Sequence, residues 1–284
     1  VALGRARGAG RGRRLMALGA ERRRLHGVVL ELLEKRHGVG TKAAGVSAWM
    51  ELRLDRALDA LAVDADGTLD GAVELLRREP TRLEEIAERL RVGETRFFRD
   101  PPQWEALRGV GVAPFRGRDR VRALSVGCST GEEGWSLAMA LDDCLGRGAT
   151  YRVVGMDRSE AAISAARVGL YSSSQARHVP RELASRYLSE QGDASQVAEG
   201  LRGSVSFVVR DAMIGPPPGR YEIVLCKNLL IYFGNEAAER AVSLMLRSLA
   251  DGGFLMVAKS EVPRVKGLGH RAEELAPGVV VFRA

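Results

Sequence analysis

The apolar positions change their period near residue 95. Before it they recur at i, i+3, i+4 and i+7, the spacing of one helix face. Leu25, Val28, Val29, Leu32 and Leu33 form such a stripe and predict a helix over 21–37, which Gly38 is suited to stop. A second helix is expected over 47–62. A third, capped by Thr68, turns Leu69, Val73 and Leu76 inward. Thr81 and Glu84 have capping-box spacing for a fourth over 82–91, stopped by Gly93. From Val121 onward short β-leaning runs alternate with helical stretches. Strands are expected at 121–126, 151–157, 205–211, 221–228 and 254–261, with a closing strand at 278–283. Helices are expected at 132–145, 159–168 and 236–249. This alternation predicts an α/β fold with a doubly wound, mostly parallel sheet. It breaks between Tyr171 and Val205, where a polar stretch reads as an insertion.

The first of these strands runs into Gly127-Cys-Ser-Thr-Gly131, and Glu132-Glu133 then open the following helix. Strand, tight turn and helix in that order leave backbone N–H groups open to a ligand. The second strand ends at Asp157, where an acid can accept hydrogen bonds from both hydroxyls of an adenosine ribose. Two cofactor classes use that geometry. The loop lacks the third glycine that seats a dinucleotide pyrophosphate. A carboxylate beside the loop, Glu132 or Glu133, suits a cationic sulfonium better than a pyrophosphate. S-adenosylmethionine (SAM) is therefore favoured over NAD.

Composition adds less. Of the +7 net charge, all is accounted for by residues 1–24, which hold eight arginines and one acid, Glu21. That arm reads as solvated chain or as a docking segment. Three cysteines without CxxC spacing point to a reducing compartment, the cytoplasm. No run reaches the ~20 apolar residues of a membrane span, and neither His26 nor His37 has partners for a metal. The stretch 94–104 places Phe97–Phe98 between Arg96 and Arg99, ahead of Pro101–Pro102. It reads equally as an apolar hinge or as a lid that brings Thr95 and Arg99 to a cofactor.

Four pieces carry a family resemblance: ETRFFRD (94–100), GCSTGEE with WSLAMAL (127–141), ARVGLY and VPRELASRYL (166–188), and VLCKNLLIYF with LADGGFLMVAKSE (224–261). In order and spacing the chain resembles chemotaxis-receptor glutamate methyltransferases of the CheR family. The resemblance implies a class I SAM-dependent methyltransferase domain over 116–284, with a small β-subdomain inserted at 172–204. It further implies a helical N-terminal domain over 21–92 and a linker over 93–115, behind the basic arm of 1–20. Thr95 and Arg99 match family positions that reach the cofactor from the linker. Gly127 lies in the loop, Glu133 matches the carboxylate near the methionine end, and Asp157 matches the ribose-binding acid. Asp211 and Ala212 stand where Asn-Leu usually flanks the adenine, and Lys227 and Asn228 where Arg-Asn is usual. Tyr232 matches a tyrosine near the methyl. Gly93 and Gly134–Trp135 also depart from the family pattern.

The implied activity is O-methylation of glutamates on the cytoplasmic signalling helices of a methyl-accepting receptor, with S-adenosylhomocysteine (SAH) as product. No metal is implied, nucleic acid is disfavoured as a partner, and a monomer is expected. Arg99 and Tyr232 are the candidates for handling the acceptor carboxylate. That carboxylate is already an anion at neutral pH, so neither is assigned as acid or base. Two other readings stand beside this one. The first is an RNA methyltransferase, for which the arm and Cys226 would supply basic charge and a thiolate. The second is a SAM- or SAH-sensing module without catalysis.

Overall fold

The computed structural model describes residues 23–36, 38, 48–64, 69–90, 95–146 and 148–284. The expected arm, the Thr68 cap and the stop at Gly93 lie outside these residues. The chain forms two compact units. One is drawn from Val1–Val92 and Tyr232–Asn235, the other from Gly93–Ile231 and Glu236–Ala284.

The smaller unit contains α1 (23–36), α2 (Ala48–Asp64), α3 (Leu69–Arg78) and α4 (Pro80–Leu90). Their apolar stripes meet in one core built on Val29, Leu33, Leu54, Leu58, Leu83, Ile86 and Leu90. The helix α4 starts two residues before the expected start at 82. Pro80 occupies its first turn, where the missing N–H costs nothing. His26 is half-buried and its Nε2 lies 2.8 Å from Asp55 Oδ1. Among the described residues no group of three potential metal ligands occurs, and no helix is long and apolar enough to cross a membrane.

The larger unit opens with Thr95–Asp100, then α5 (Pro101–Ala106), a π-turn (Leu107–Gly111) and a 3-10 turn (Ala113–Phe115). The sheet strands are β1 (Val121–Val126), β2 (Tyr151–Asp157), β6 (Val205–Val209), β7 (Tyr221–Cys226), β8 (Leu249–Val257), β9 (Ala272–Ala276) and β10 (Val279–Phe282). Their order is β6-β2-β1-β7-β8-β10-β9. The pairings β1–β2, β2–β6, β1–β7 and β7–β8 are parallel, and β10 is antiparallel to both β8 and β9. Because chain order runs outward from β1 in one direction and resumes at β7 in the other, the crevice lies at the carboxyl ends of β1 and β7. The helices α6 (Glu132–Leu145), α7 (Glu160–Val168) and α11 (Asn235–Arg247) occupy the crossovers.

The insertion begins at Leu170. It contains a three-stranded antiparallel sheet of order β3-β5-β4, from β3 (Leu170–Ser172), β4 (Leu188–Gln191) and β5 (Ala194–Val197). Short helices α8 (Ser173–Ala176), α9 (Arg181–Tyr187) and α10 (Glu199–Arg202) connect it. The last helix, α12, is Val262–Gly267.

Several boundaries differ from the sequence pattern. β6 stops at Val209 and β7 at Cys226, so Asp211, Lys227 and Asn228 stand on loops beyond the strands. β8 begins at Leu249, ahead of the expected 254, because the pair of glycines is accommodated as a register irregularity opposite Tyr221 and Ile223. β9 (AEELA) carries no apolar alternation; it is an outer strand, where charge is tolerated and discourages edge pairing.

Candidate active site

The turn after β1 is held by backbone geometry. Gly127 (φ 75°), Ser129 (φ 51°) and Gly131 (φ 98°) all adopt left-handed conformations. The N–H groups of Gly127 and Cys128 both donate to Met156 O at the end of β2, at 2.8 and 3.0 Å. Ser129 N–H donates to Asp157 Oδ2 at 2.9 Å, and Ser159 N–H to Asp157 Oδ1 at 3.0 Å. Asp157 is buried, so it ties the glycine turn to the start of α7. A Cβ on Gly131 would come within 2.7 Å of Ala166 Cβ, which leaves no room for any other residue.

The two adjacent glutamates separate completely. Glu132 turns toward the insertion, where it accepts from Thr130 Oγ1 (2.7 Å) and from Gln175 Nε2 (3.0 Å). Tyr171 OH donates to Thr130 O beside it. Glu133 turns instead toward the ends of β1 and β7 and accepts from Ser125 Oγ at 2.8 Å. Burial raises the Glu133 pKa, while Lys227, the Ser125 hydroxyl and Arg99 pull it down.

Lys227 is almost wholly buried. Its ammonium donates to Arg99 O at 2.6 Å, lies 3.3 Å from Asp100 Oδ2 and sits over the Trp104 ring. It therefore acts on the loop that carries Arg99. That loop contains two left-handed residues, Phe98 (φ 48°) and Asp100 (φ 63°). Phe98 N–H is fixed by Ser136 Oγ at 3.0 Å, and the Phe98 ring packs edge-on to Trp104. Asn228 follows Lys227 with φ 58°. Its Oδ1 is buried with no hydrogen-bond partner among the described residues. Asp211 and Ala212 form a tight turn beyond β6, where Asp211 Oδ1 accepts from Met213 N–H. The preceding Arg210 N–H donates to Asp157 O at 2.8 Å, which sets this turn beside the β2 end.

Arg99, Glu133 and Lys227 thus form one charged cluster next to the turn at Gly127, and Asp157, Asp211 and Ala212 line the neighbouring strand ends. Thr95 is half-buried at the start of the Arg99 loop. Tyr232 packs against the core of the helical unit. Cys226 is fully buried at the end of β7, and burial raises its thiol pKa well above normal, which makes it a core residue and not a reactive thiolate.

Some residues of this neighbourhood escaped the sequence reading. Ser125 is a buried hydroxyl in a strand that is apolar apart from Arg122, a signal that was available. Glu261, at the end of the 3-10 turn that follows β8, is 1% exposed and accepts from three backbone N–H groups. Nothing local in AKSE distinguishes it from a solvated acid.

A SAM-sized cofactor fits this arrangement on its chemistry. The turn carries no side chain at Gly127 and Gly131, although the N–H groups of Gly127, Cys128, Ser129 and Gly131 are already bonded within the chain; Glu133 provides anionic charge, and Asn228 Oδ1 is an orphaned buried acceptor. Asp157 Oδ2 accepts from Ser129 N–H and Oδ1 from Ser159 N–H at the end of β2, and a carboxylate oxygen can accept more than one hydrogen bond.

Comparison with known proteins agrees. The chain is 30% identical over 200 residues to an uncharacterized 104.1 kDa protein encoded in the hypE 3' region of Rhodobacter capsulatus, covering 68% of this chain and 21% of that one. It is 29% identical over 257 residues to the "Probable biofilm formation methyltransferase WspC" of Pseudomonas putida, covering 88% and 60%. It is 28% identical over 188 residues to a chemotaxis protein methyltransferase of Listeria monocytogenes, covering 66% and 71%. The chain thus spans a fifth of the first relative's length and three fifths of the second's. Residues 93–272, well over half of the chain, match the SAM-binding domain of the CheR methyltransferases, and the chain belongs to that family.

Proposed function

We propose that this protein methylates glutamate side chains on the cytoplasmic signalling helices of a methyl-accepting chemotaxis receptor, forming glutamyl methyl esters. The observation that carries this reading is the half-buried Glu133 carboxylate, held by Ser125 and influenced by Lys227 and Arg99, beside the turn Gly127–Gly131. Asp157 would hold the ribose of SAM, Asp211 and Ala212 the adenine, and Glu133 and Asn228 the methionine end. Bound SAM supplies a methyl carbon activated by its sulfonium charge.

The acceptor carboxylate is ionised at neutral pH and needs no base. What the chain can contribute is alignment and exclusion of water, since charge is neutralised as the new bond forms. Arg99 is the natural aligner for that carboxylate, because a guanidinium matches it in charge and planar shape. Its loop is held by Lys227 and Ser136. Thr95 lies on the same segment. The buried, poorly ionised Cys226 disfavours thiolate chemistry on a nucleic-acid base.

The test is incubation of receptor cytoplasmic fragments with methyl-labelled SAM, followed by alkali. Carboxyl methyl esters release volatile methanol, whereas N-methyl groups and methylated RNA bases do not. Arg99→Ala should bind SAH and remain folded while losing at least about 100-fold in transfer, comparable to removal of a charged transition-state contact. Wild-type turnover by that variant would remove Arg99 from the mechanism. Label found only in tRNA, or SAH binding without any transfer, would replace the proposal with one of the two other readings.

A further inference from the structure

Beyond the residues that line the turn, the loop Asn228–Ile231 has an unusual support. It begins with a non-glycine residue in a left-handed conformation, Asn228 at φ 58°, which asparagine tolerates better than most side chains but not as freely as glycine. Something must hold it. Glu261 Oε2 accepts from Asn228 N–H at 2.9 Å and from Ala258 N–H at 3.1 Å, and Glu261 Oε1 accepts from Ile231 N–H at 3.2 Å. Three residues further on, Arg264 Nη1 donates to Leu230 O at 2.7 Å. One acid and one base, an i, i+3 pair at the start of α12, thus take both kinds of backbone group from the same four-residue loop. The sheet makes this possible. Cys226 and Val257 are register partners, so the segments leaving β7 and β8 emerge side by side.

The loop in turn bears on the glycine turn. A Cβ on Gly127 would come within 3.2 Å of Leu229 Cδ2, so the Leu229 side chain lies directly against that turn. Asn228 presents its partnerless Oδ1 from the same loop. We propose that Glu261 and Arg264 are positioning residues for the cofactor end of the site, fixing Asn228 directly and the Gly127 turn through Leu229. This rests on the methyltransferase reading above.

A carboxylate with both oxygens facing N–H donors is matched to the ionised form, since a proton on either oxygen would meet a donor. Burial opposes ionisation, and the balance holds the Glu261 pKa near 7. A charge kept under that penalty, in contact with backbone of a functional loop, is consistent with positioning and gives no obvious gain in stability.

The experiment uses the full chain with Glu261→Gln, Glu261→Ala and the partly exposed Arg264→Met. Peptide-level amide exchange reports the loop, calorimetry with SAH reports the site, and SAM kinetics with a receptor fragment report turnover. Glu261→Gln, which keeps one acceptor oxygen, should speed exchange across 227–231, leave 121–126 protected and weaken SAH about tenfold, the loss expected for a charged hydrogen bond. Glu261→Ala should be worse and Arg264→Met milder. All should raise KM for SAM more than they lower kcat; a purely structural role would instead reduce the active fraction and leave KM alone. Unchanged exchange at 227–231, or SAH affinity within twofold of wild type in all three variants, would overturn the clamp. Absence of SAH binding by the wild type would overturn the proposed function, and the exchange result would still decide whether the clamp exists.

Discussion

Two turns leave the central strands side by side, and they are built differently. The turn after β1 uses glycine at two of its three left-handed positions, Gly127 and Gly131, with Ser129 at the third, and its amides return to Met156 and Asp157 on the adjacent strand. The turn after β7 places asparagine at φ 58° and depends on a carboxylate and a guanidinium from residues some thirty positions later. The first takes its backbone freedom mainly from glycine and its anchorage from the adjacent strand β2. The second takes its anchorage from side chains of the segment that follows β8. A backbone that must approach a ligand can be made permissive with glycine, or it can be made rigid by hydrogen bonds from outside. This chain uses both within one site.

The largest way to break the comparison is at the first turn. Gly131→Ala combines a left-handed φ of 98° with a Cβ 2.7 Å from Ala166 Cβ and 3.0 Å from its Cα. The expected loss is about 3–5 kcal/mol from backbone strain and overpacking together. Denaturant midpoints should show it, and SAH binding should vanish with it. If the variant kept wild-type stability, the turn would have to be free to relax.

The next effect is specific to the second turn. The Glu261 pKa stands near 7 in the folded protein, above the ordinary glutamate value of about 4.3. A group whose pKa is raised on folding binds its proton more tightly in the native state. Its contribution to stability is thus complete below about pH 4.3 and is lost as pH rises toward 7. The burial-raised Glu133 acts in the same direction, and Asp143, where burial is outweighed by the hydrogen bonds and charge of Arg108 and Arg186 so that its pKa is lowered, acts in the opposite one. Relative to wild type, Glu261→Gln should gain up to about 3 kcal/mol between pH 4.5 and 7.5. Urea unfolding across that range would measure it, and parallel pH profiles for the two proteins would refute it.

The smallest effect sharpens the comparison instead. Asn228→Gly makes the second turn resemble the first. Relief of left-handed strain and the added freedom of glycine in the unfolded chain nearly cancel, so stability should move by less than about 1 kcal/mol. SAH affinity should still fall several-fold, because the buried Oδ1 is lost. A large stability change with unchanged affinity would mean that Asn228 serves the fold alone.

Much of this was legible before any coordinates. Period 3.6 in the first ninety residues and alternation of strands and helices after Val121 announced both units, because burial of one face leaves a periodic mark. The turn Gly127–Gly131 and the acid at Asp157 were visible for a related reason, since left-handed backbone and strand-end positions restrict residue type locally. In the sequence Lys227 stood only as a candidate site position. Its ammonium grips the Arg99 loop, a contact across more than a hundred residues. Glu132 and Glu133 could not be told apart in sequence either. One helical step of about 100° sends one to Gln175 in the insertion and the other to Ser125 and the charged cluster. The edge strand β9 was missed because an outer strand carries no buried stripe.

The amino-acid order alone determined what depends on near neighbours: the helical stretch, the parallel α/β alternation, the glycine turn and the chemistry offered at each strand end. Only the assembled sheet decided which carboxylate faces the cluster, what Lys227 holds, and that a buried Glu261 with Arg264 supports Asn228–Ile231. Those outcomes depend on strand order and register, which bring distant segments within hydrogen-bonding distance, and no local pattern encodes a distance across the sheet.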